Sequence, residues 1–96
     1  MFSIERRAKL MSSLQKDPVP VSEVFFETVS EVRGDMIILK SRHNSQYQQD
    51  YDLLNKTAKL YDKYHLTDLD KAIDAMEVVY DLRDKYDALR FEKVAV

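Results

Sequence analysis

Six tyrosines, two histidines and a row of three glutamates are the side chains whose types and spacing could support chemistry in this 96-residue chain. The tyrosines Tyr47, Tyr51, Tyr61, Tyr64, Tyr80 and Tyr86 all lie from residue 47 onward. A tyrosine ring is large and apolar, while its hydroxyl needs water or a partner. Such residues suit either the half-buried edge of a core or a protein interface, where tyrosine is enriched. Tyr47, Tyr51, Tyr61 and Tyr64 are the candidate partner-binding residues among them. Glu23, Glu27 and Glu31 recur at intervals of four and would form one acidic stripe on a helix. Like charges at that spacing repel by about a few tenths of a kcal/mol per pair, so the row costs helix stability. It reads either as a solvated face or as a docking strip for a basic partner. The basic side chains Arg6, Arg7 and Lys9 near the N-terminus could serve as that partner, which places Arg6 and Arg7 in the candidate interface as well.

A second cluster invites a different chemistry. Lys40, Arg42, His43, Asn44 and Gln46, followed by Gln48 and Gln49, are side-chain types that contact nucleic acid. With a short helix and Gly34 ahead of them they resemble a helix-turn-helix arrangement. Two features oppose this. The turn glycine is flanked by Arg33 and Asp35, where that motif places apolar residues. Only Lys40 and Arg42 are firmly positive in the window, and phosphate attraction supplies much of any nucleic-acid affinity.

The remaining motifs are weak. His65 lies close in sequence to Asp62 and Asp68, but one histidine with loosely placed carboxylates is a poor metal site, and packing at a helix end accounts for it. Asp68, Asp70 and Asp74 lack the glycine and terminal glutamate of a calcium loop. Arg33-Gly34-Asp35 spells an integrin tripeptide but reads as a turn. No cysteine is present, which removes disulfides, thiolate sites and thiol nucleophiles. No hydrolase triad pattern, phosphate loop, dinucleotide fingerprint or zinc-protease motif occurs. No catalytic, cofactor-binding or metal-binding residue is expected.

Composition bounds the elements that must position these side chains. An apolar fraction of 45% with 33% charged residues describes a globular chain rather than a disordered one. One glycine and two prolines argue for few turns and long helices. The net charge of −2 is unlike the basic excess of a nucleic-acid module. It hides segments of opposite sign: residues 1–16 carry four basic and one acidic side chain, residues 17–35 five acidic and one basic. The basic amphipathic N-terminus lacks the apolar stretch of a signal peptide, and a mitochondrial presequence is the weaker reading of it. No apolar run reaches the roughly 20 residues of a membrane span. A cytoplasmic location is therefore expected.

Periodicity supplies the helices. Ile4, Ala8, Met11 and Leu14 recur at helical spacing and predict a helix from about Ile4 to Gln15, capped by Ser3 and ended by Pro18 and Pro20. Val21, Val24, Phe25, Thr28, Val29 and Val32 predict a second helix, with Ser22 as N-cap and Gly34 just past its end. The same residues also alternate, so a β-hairpin at about 23–41 with a Gly34-Asp35 turn is the alternative. A third segment runs from Met36 to His65, with a polar middle that could hold a break. From residue 47 its steps of four and three (Tyr47, Tyr51, Leu54, Ala58, Tyr61, His65) form a heptad seam. A fourth helix opens at Thr67, which caps it, with Leu66 stapled across the cap. Its apolar stripe is wide enough to touch more than one neighbour.

These readings predict a single all-α domain over residues 1–96: an antiparallel helical hairpin from about Gln46 to Glu92 with one or two shorter N-terminal helices across it. The function expected of it is a non-enzymatic protein–protein interaction module (adaptor, chaperone-like protein, or small regulatory or inhibitor protein), homodimeric and binding another protein. The alternative is a nucleic-acid-binding transcriptional regulator acting through residues 40–49.

Overall fold

Pro18 and Pro20 split the first half of the chain into two helices at a single residue. In the computed structural model, helix α1 covers Ile4–Lys16 and helix α2 covers Pro18–Leu39, leaving only Asp17 between them. Helix α3 follows at Asn44–Tyr64 and helix α4 at Leu69–Val94. The structure describes the backbone of residues 4–39 and 44–94, and the side chains of residues 4–39 and 47–90. All the secondary structure among these residues is helical, so the β-hairpin alternative at 23–41 is excluded.

The prolines do more than stop a helix. Neither carries the N–H that an interior residue would donate, so α1 cannot run on, but the first turn of a helix needs no such donor. Asp17 therefore closes one helix and opens the next. Its N–H donates to the Ser13 carbonyl at 2.9 Å, and its own carbonyl accepts from Val21 N–H at 3.1 Å. Ser22 consequently lies inside α2 and is not its N-cap.

Gly34 is not a helix stop either. No residue of the described chain has positive φ, and Gly34 sits in the body of α2. A Cβ there would meet nothing within 4 Å. With no turn at Gly34, the residues Met36–Leu39 extend α2 and do not begin the next element. Phe25, Val29, Val32, Met36 and Leu39 then form one buried stripe along it.

The third helix is as the heptad seam predicts from residue 47 onward, with Leu54 and Tyr61 fully enclosed. Asp68, one residue later than expected, caps α4: its carboxylate accepts from Lys71 N–H at 3.3 Å, and its carbonyl from Ala72 N–H at 3.1 Å. Leu66 is 72% exposed and staples nothing. Contacts tie the start of α3 to the end of α4, through Asp50 with Lys85 and Tyr86, and the end of α3 to the start of α4, through Tyr64 with Lys71. The two therefore run in opposite directions. Helix α4 buries Ala72, Ile73, Met76, Val79, Leu82 and Tyr86 and packs against all three other helices, as its wide stripe requires. Each fully buried large apolar side chain contributes roughly 2 kcal/mol.

Helix α1 is attached differently. Leu14 is its one buried residue, while Leu10 and Met11 lie half-buried against the core. The rest of its attachment is ionic. Arg7 reaches α4, where Asp70, Asp74 and Glu77 stand one above another on a single face. It donates to Asp74 at 2.7 Å and to Glu77 Oε1 at 2.8 Å, and lies 3.6 Å from the Asp70 carboxylate. Glu77 is fully buried, and its second oxygen, Oε2, has no protein hydrogen-bond partner. Arg6 adds a longer contact to Asp81 at 3.7 Å.

Candidate protein interface

The tyrosines divide into enclosed and open groups. Tyr61 is wholly buried: its ring stacks on Phe25 at 4.0 Å, and its hydroxyl shares a 2.8 Å hydrogen bond with Ser22. Burial raises its pKa, against the opposing effect of the Ser22 bond. Tyr61 is thus part of the core, which corrects its assignment as a partner-binding residue. Tyr86 is also enclosed and donates to Asp50 at 2.8 Å. Burial, reinforced by the Asp50 hydrogen bond and charge, pushes its pKa far above the usual tyrosine value.

Tyr47 and Tyr51 remain half-buried, stacked on each other at 5.7 Å. Tyr64 is half-buried beneath the ammonium groups of Lys63 and Lys71, at 5.2 and 4.6 Å from its ring centre. Those three keep part of their rings open. Arg6 and Arg7 are engaged within the chain: their guanidinium groups meet the acidic side chains of α4, so they serve the attachment of α1 rather than an outside partner. The Glu23–Glu31 row therefore does not receive them.

Glu23, Glu27 and Glu31 are all exposed. The Glu31 carboxylate converges with those of Asp35 and Asp87 to within 4.8 Å. Arg90 lies 3.4 Å from Asp35 and offsets charge there. Glu23 and Glu27 instead rim an open groove of about 770 Å³ at the head of α2. Its floor is apolar: Pro18, Val19, Phe26 and Leu66. His65 closes one end, its ring stacked on Tyr61 at 5.2 Å. Its Nδ1 lies 3.1 Å from the carbonyls of Tyr61 and Asp62, the helix-end packing expected for it.

A feature that tyrosine spacing did not reveal lies on α3. Lys56, Lys59 and Lys63 form an exposed ridge on the side away from the core. The signal was present as lysines three and four apart, opposite the heptad seam. A second groove opens between α3 and α4. Leu53, Thr57, Leu60, Tyr64, Ala75 and Val78 line it, together with the charged Lys56, Lys71 and Asp74. Leu53 and Leu60 are 41% and 40% exposed there.

For the nucleic-acid reading, Lys40, Arg42 and His43 lie outside the described residues. Asn44 and Gln46 stand in the first turn of α3, but their side chains also lie outside that set. Among the described residues no helix is long and apolar enough to cross a membrane.

Compared with protein-family models, with curated proteins and with solved structures, the chain has no match.

Proposed function

We propose that this protein is a non-enzymatic interaction module that works as a homodimer and binds a second protein. The observation that carries the reading is the groove between α3 and α4, where Leu53, Leu60 and the open part of Tyr64 lie side by side on the surface. A groove of aliphatic side chains with a tyrosine at its edge suits the apolar face of a helix or extended segment. Of the charged groups there, Asp74 is already paired with Arg7, so Lys56 and Lys71 favour acidic side chains on that segment. An adaptor, a chaperone-like protein or a small inhibitor would each use such a surface.

The test is a photo-reactive amino acid placed at Leu60 in the native host, with cross-linked products identified by mass spectrometry. The reading expects one recurrent protein, lost when Leu53 is replaced by aspartate in the same chain. Cross-links spread over unrelated proteins, indifferent to that substitution, would remove it. The nucleic-acid alternative gains the Lys56, Lys59 and Lys63 ridge but must overcome the net charge of −2. Tight binding to random duplex at low salt would favour it.

A further inference from the structure

The glutamate-rimmed groove of α2 and the lysine ridge of α3 belong to one continuous face. Phe26 lines both the groove and the seam between α2 and α3, and Lys59 lines both that seam and the ridge. The face thus carries Glu23 and Glu27 along one side and Lys56, Lys59 and Lys63, with Asp52, along the other; between them Phe26 and Ala58 lie beside Arg33, Asn55 and Asp62. Among the described residues, neither Glu23 and Glu27 nor Lys56 and Lys59 have an ion-pair partner in their own chain.

The two rows are also level with each other. Ser22 bonds Tyr61, Phe25 stacks on the same ring, and Arg33 bonds Asn55 at 2.7 Å. As the number rises along α2 it falls along α3, so the helices are antiparallel. Their register sets Glu27 beside Lys59 and Glu23 beside Lys63. Helical rise separates residues four apart by about 6 Å on either helix, so the two rows share one spacing.

We infer that this face binds a second copy of the chain, about a two-fold axis running along the α2–α3 seam. An isologous contact requires a self-complementary patch, and a two-fold axis parallel to two level rows of opposite charge supplies it. Each copy's Glu27 meets the partner subunit's lysine ridge at the level of Lys59, and each Glu23 meets it at the level of Lys63. Phe26, 37% exposed in the single chain, lies near the axis and is covered by the pairing. The occupant is a second copy because the chain itself carries the complement of both rows, at the same spacing and height. The inference rests on the homodimer part of the proposed function and adds which face forms the dimer.

Charge reversal tests it by sedimentation equilibrium and native mass spectrometry, with circular dichroism to verify helicity. Glu23→Lys with Glu27→Lys makes both rows basic, and Lys59→Glu with Lys63→Glu makes both acidic. Each double variant is expected to self-associate about a hundredfold more weakly than the wild-type chain, since four attractive pairs become repulsive. Mixing the two double variants should restore dimers as a one-to-one heterodimer. The quadruple variant carrying all four changes should dimerise with itself again. A wild-type chain that stays monomeric at high micromolar concentration would overturn both this inference and the homodimer reading. A wild-type dimer whose affinity neither double variant alters would overturn this face alone. Dimers weakened by each double variant, but not recovered on mixing, would also overturn the two-fold pairing.

Discussion

Helices α2 and α4 each carry a row of acidic side chains, and the two rows have opposite fates. On α4, Asp70, Asp74 and Glu77 converge on Arg7 of α1, and Glu77 is drawn completely out of solvent. On α2, Glu23 and Glu27 remain on the outside, and among the described residues no cation pairs with them. The residue chemistry is nearly the same. The difference is where α1 lands: the single-residue break at Asp17 folds it onto α4, which carries its arginines to one row and leaves the other open. An acidic stripe in sequence therefore says little until it is known which helix crosses it.

The largest test of that contrast is Arg7→Ala. It would leave the Glu77 carboxylate buried without its cation, a change that costs about 3 kcal/mol when one partner of an enclosed pair is removed. Urea denaturation followed by circular dichroism measures it. Adding Glu77→Leu to the same chain should return most of the loss, because an apolar side chain needs no partner in that place. A loss below about 0.5 kcal/mol would reduce the clasp to an ordinary surface pair and erase the difference between the two rows.

Tyr86→Phe probes the inner side of α4 more gently. It removes the hydroxyl that donates to Asp50, worth about 1–2 kcal/mol for a hydrogen bond to a charged acceptor. The fold raises the Tyr86 pKa, so it favours the protonated phenol. That contribution is complete below about pH 10, the value for a free tyrosine, and falls away as pH rises through the higher folded value. The stability difference between wild-type chain and Phe variant should thus be constant from neutral pH to about 10 and narrow above it. A difference that widens with alkalinity would contradict the burial of this ring.

The α2 side should respond in the other direction, since little covers it. Gly34→Ala is expected to stabilise the chain by about 0.5–1 kcal/mol. The glycine is helical, a Cβ has open space, and alanine loses less backbone entropy on folding. A thermal melt detects the gain as a higher Tm. A destabilised variant would mean that Gly34 ends a helix, as its place between Arg33 and Asp35 first indicates.

Gly34 also marks how far the sequence can be read. All four helical segments and the all-α class follow from apolar spacing, because periodic rows such as Leu54, Tyr61 and Ala72, Val79, Tyr86 leave only one buried face. Boundaries follow less well. A glycine and a following charge resemble a C-cap, yet Met36 and Leu39 continue the Phe25–Val32 stripe, and their burial outweighs the cost of about 1 kcal/mol for an interior glycine. The enclosure of Tyr61 is hidden in the sequence for a related reason. Seam position shows that a ring faces a neighbour but not whether that neighbour closes over it, and here Phe25 and Ser22 of α2 do. The role of Arg7 is not legible in sequence because its partners lie more than sixty residues away on α4, beyond any local pattern. The lysine ridge is legible as spacing but carries no distinguishing signal, since lysines are mostly exposed wherever they fall on a helix.

The smallest effect separates the two uses of a charge row most sharply. Glu23→Gln with Glu27→Gln should stabilise the single chain by about a few tenths of a kcal/mol, because it removes both repulsive pairs four residues apart, Glu23 with Glu27 and Glu27 with Glu31. If the row were only a solvated face, nothing else would change. If it is half of a self-complementary contact, the same substitution weakens self-association while strengthening the fold, and the salt sensitivity of the dimer falls with it. Denaturation at low protein concentration reads the first quantity, and sedimentation at high concentration reads the second. Opposite signs from one pair of substitutions distinguish a row kept for a partner from one that is merely tolerated. The corresponding change on α4, Asp74→Asn, should show no such split, because that charge is already satisfied within the chain by Arg7.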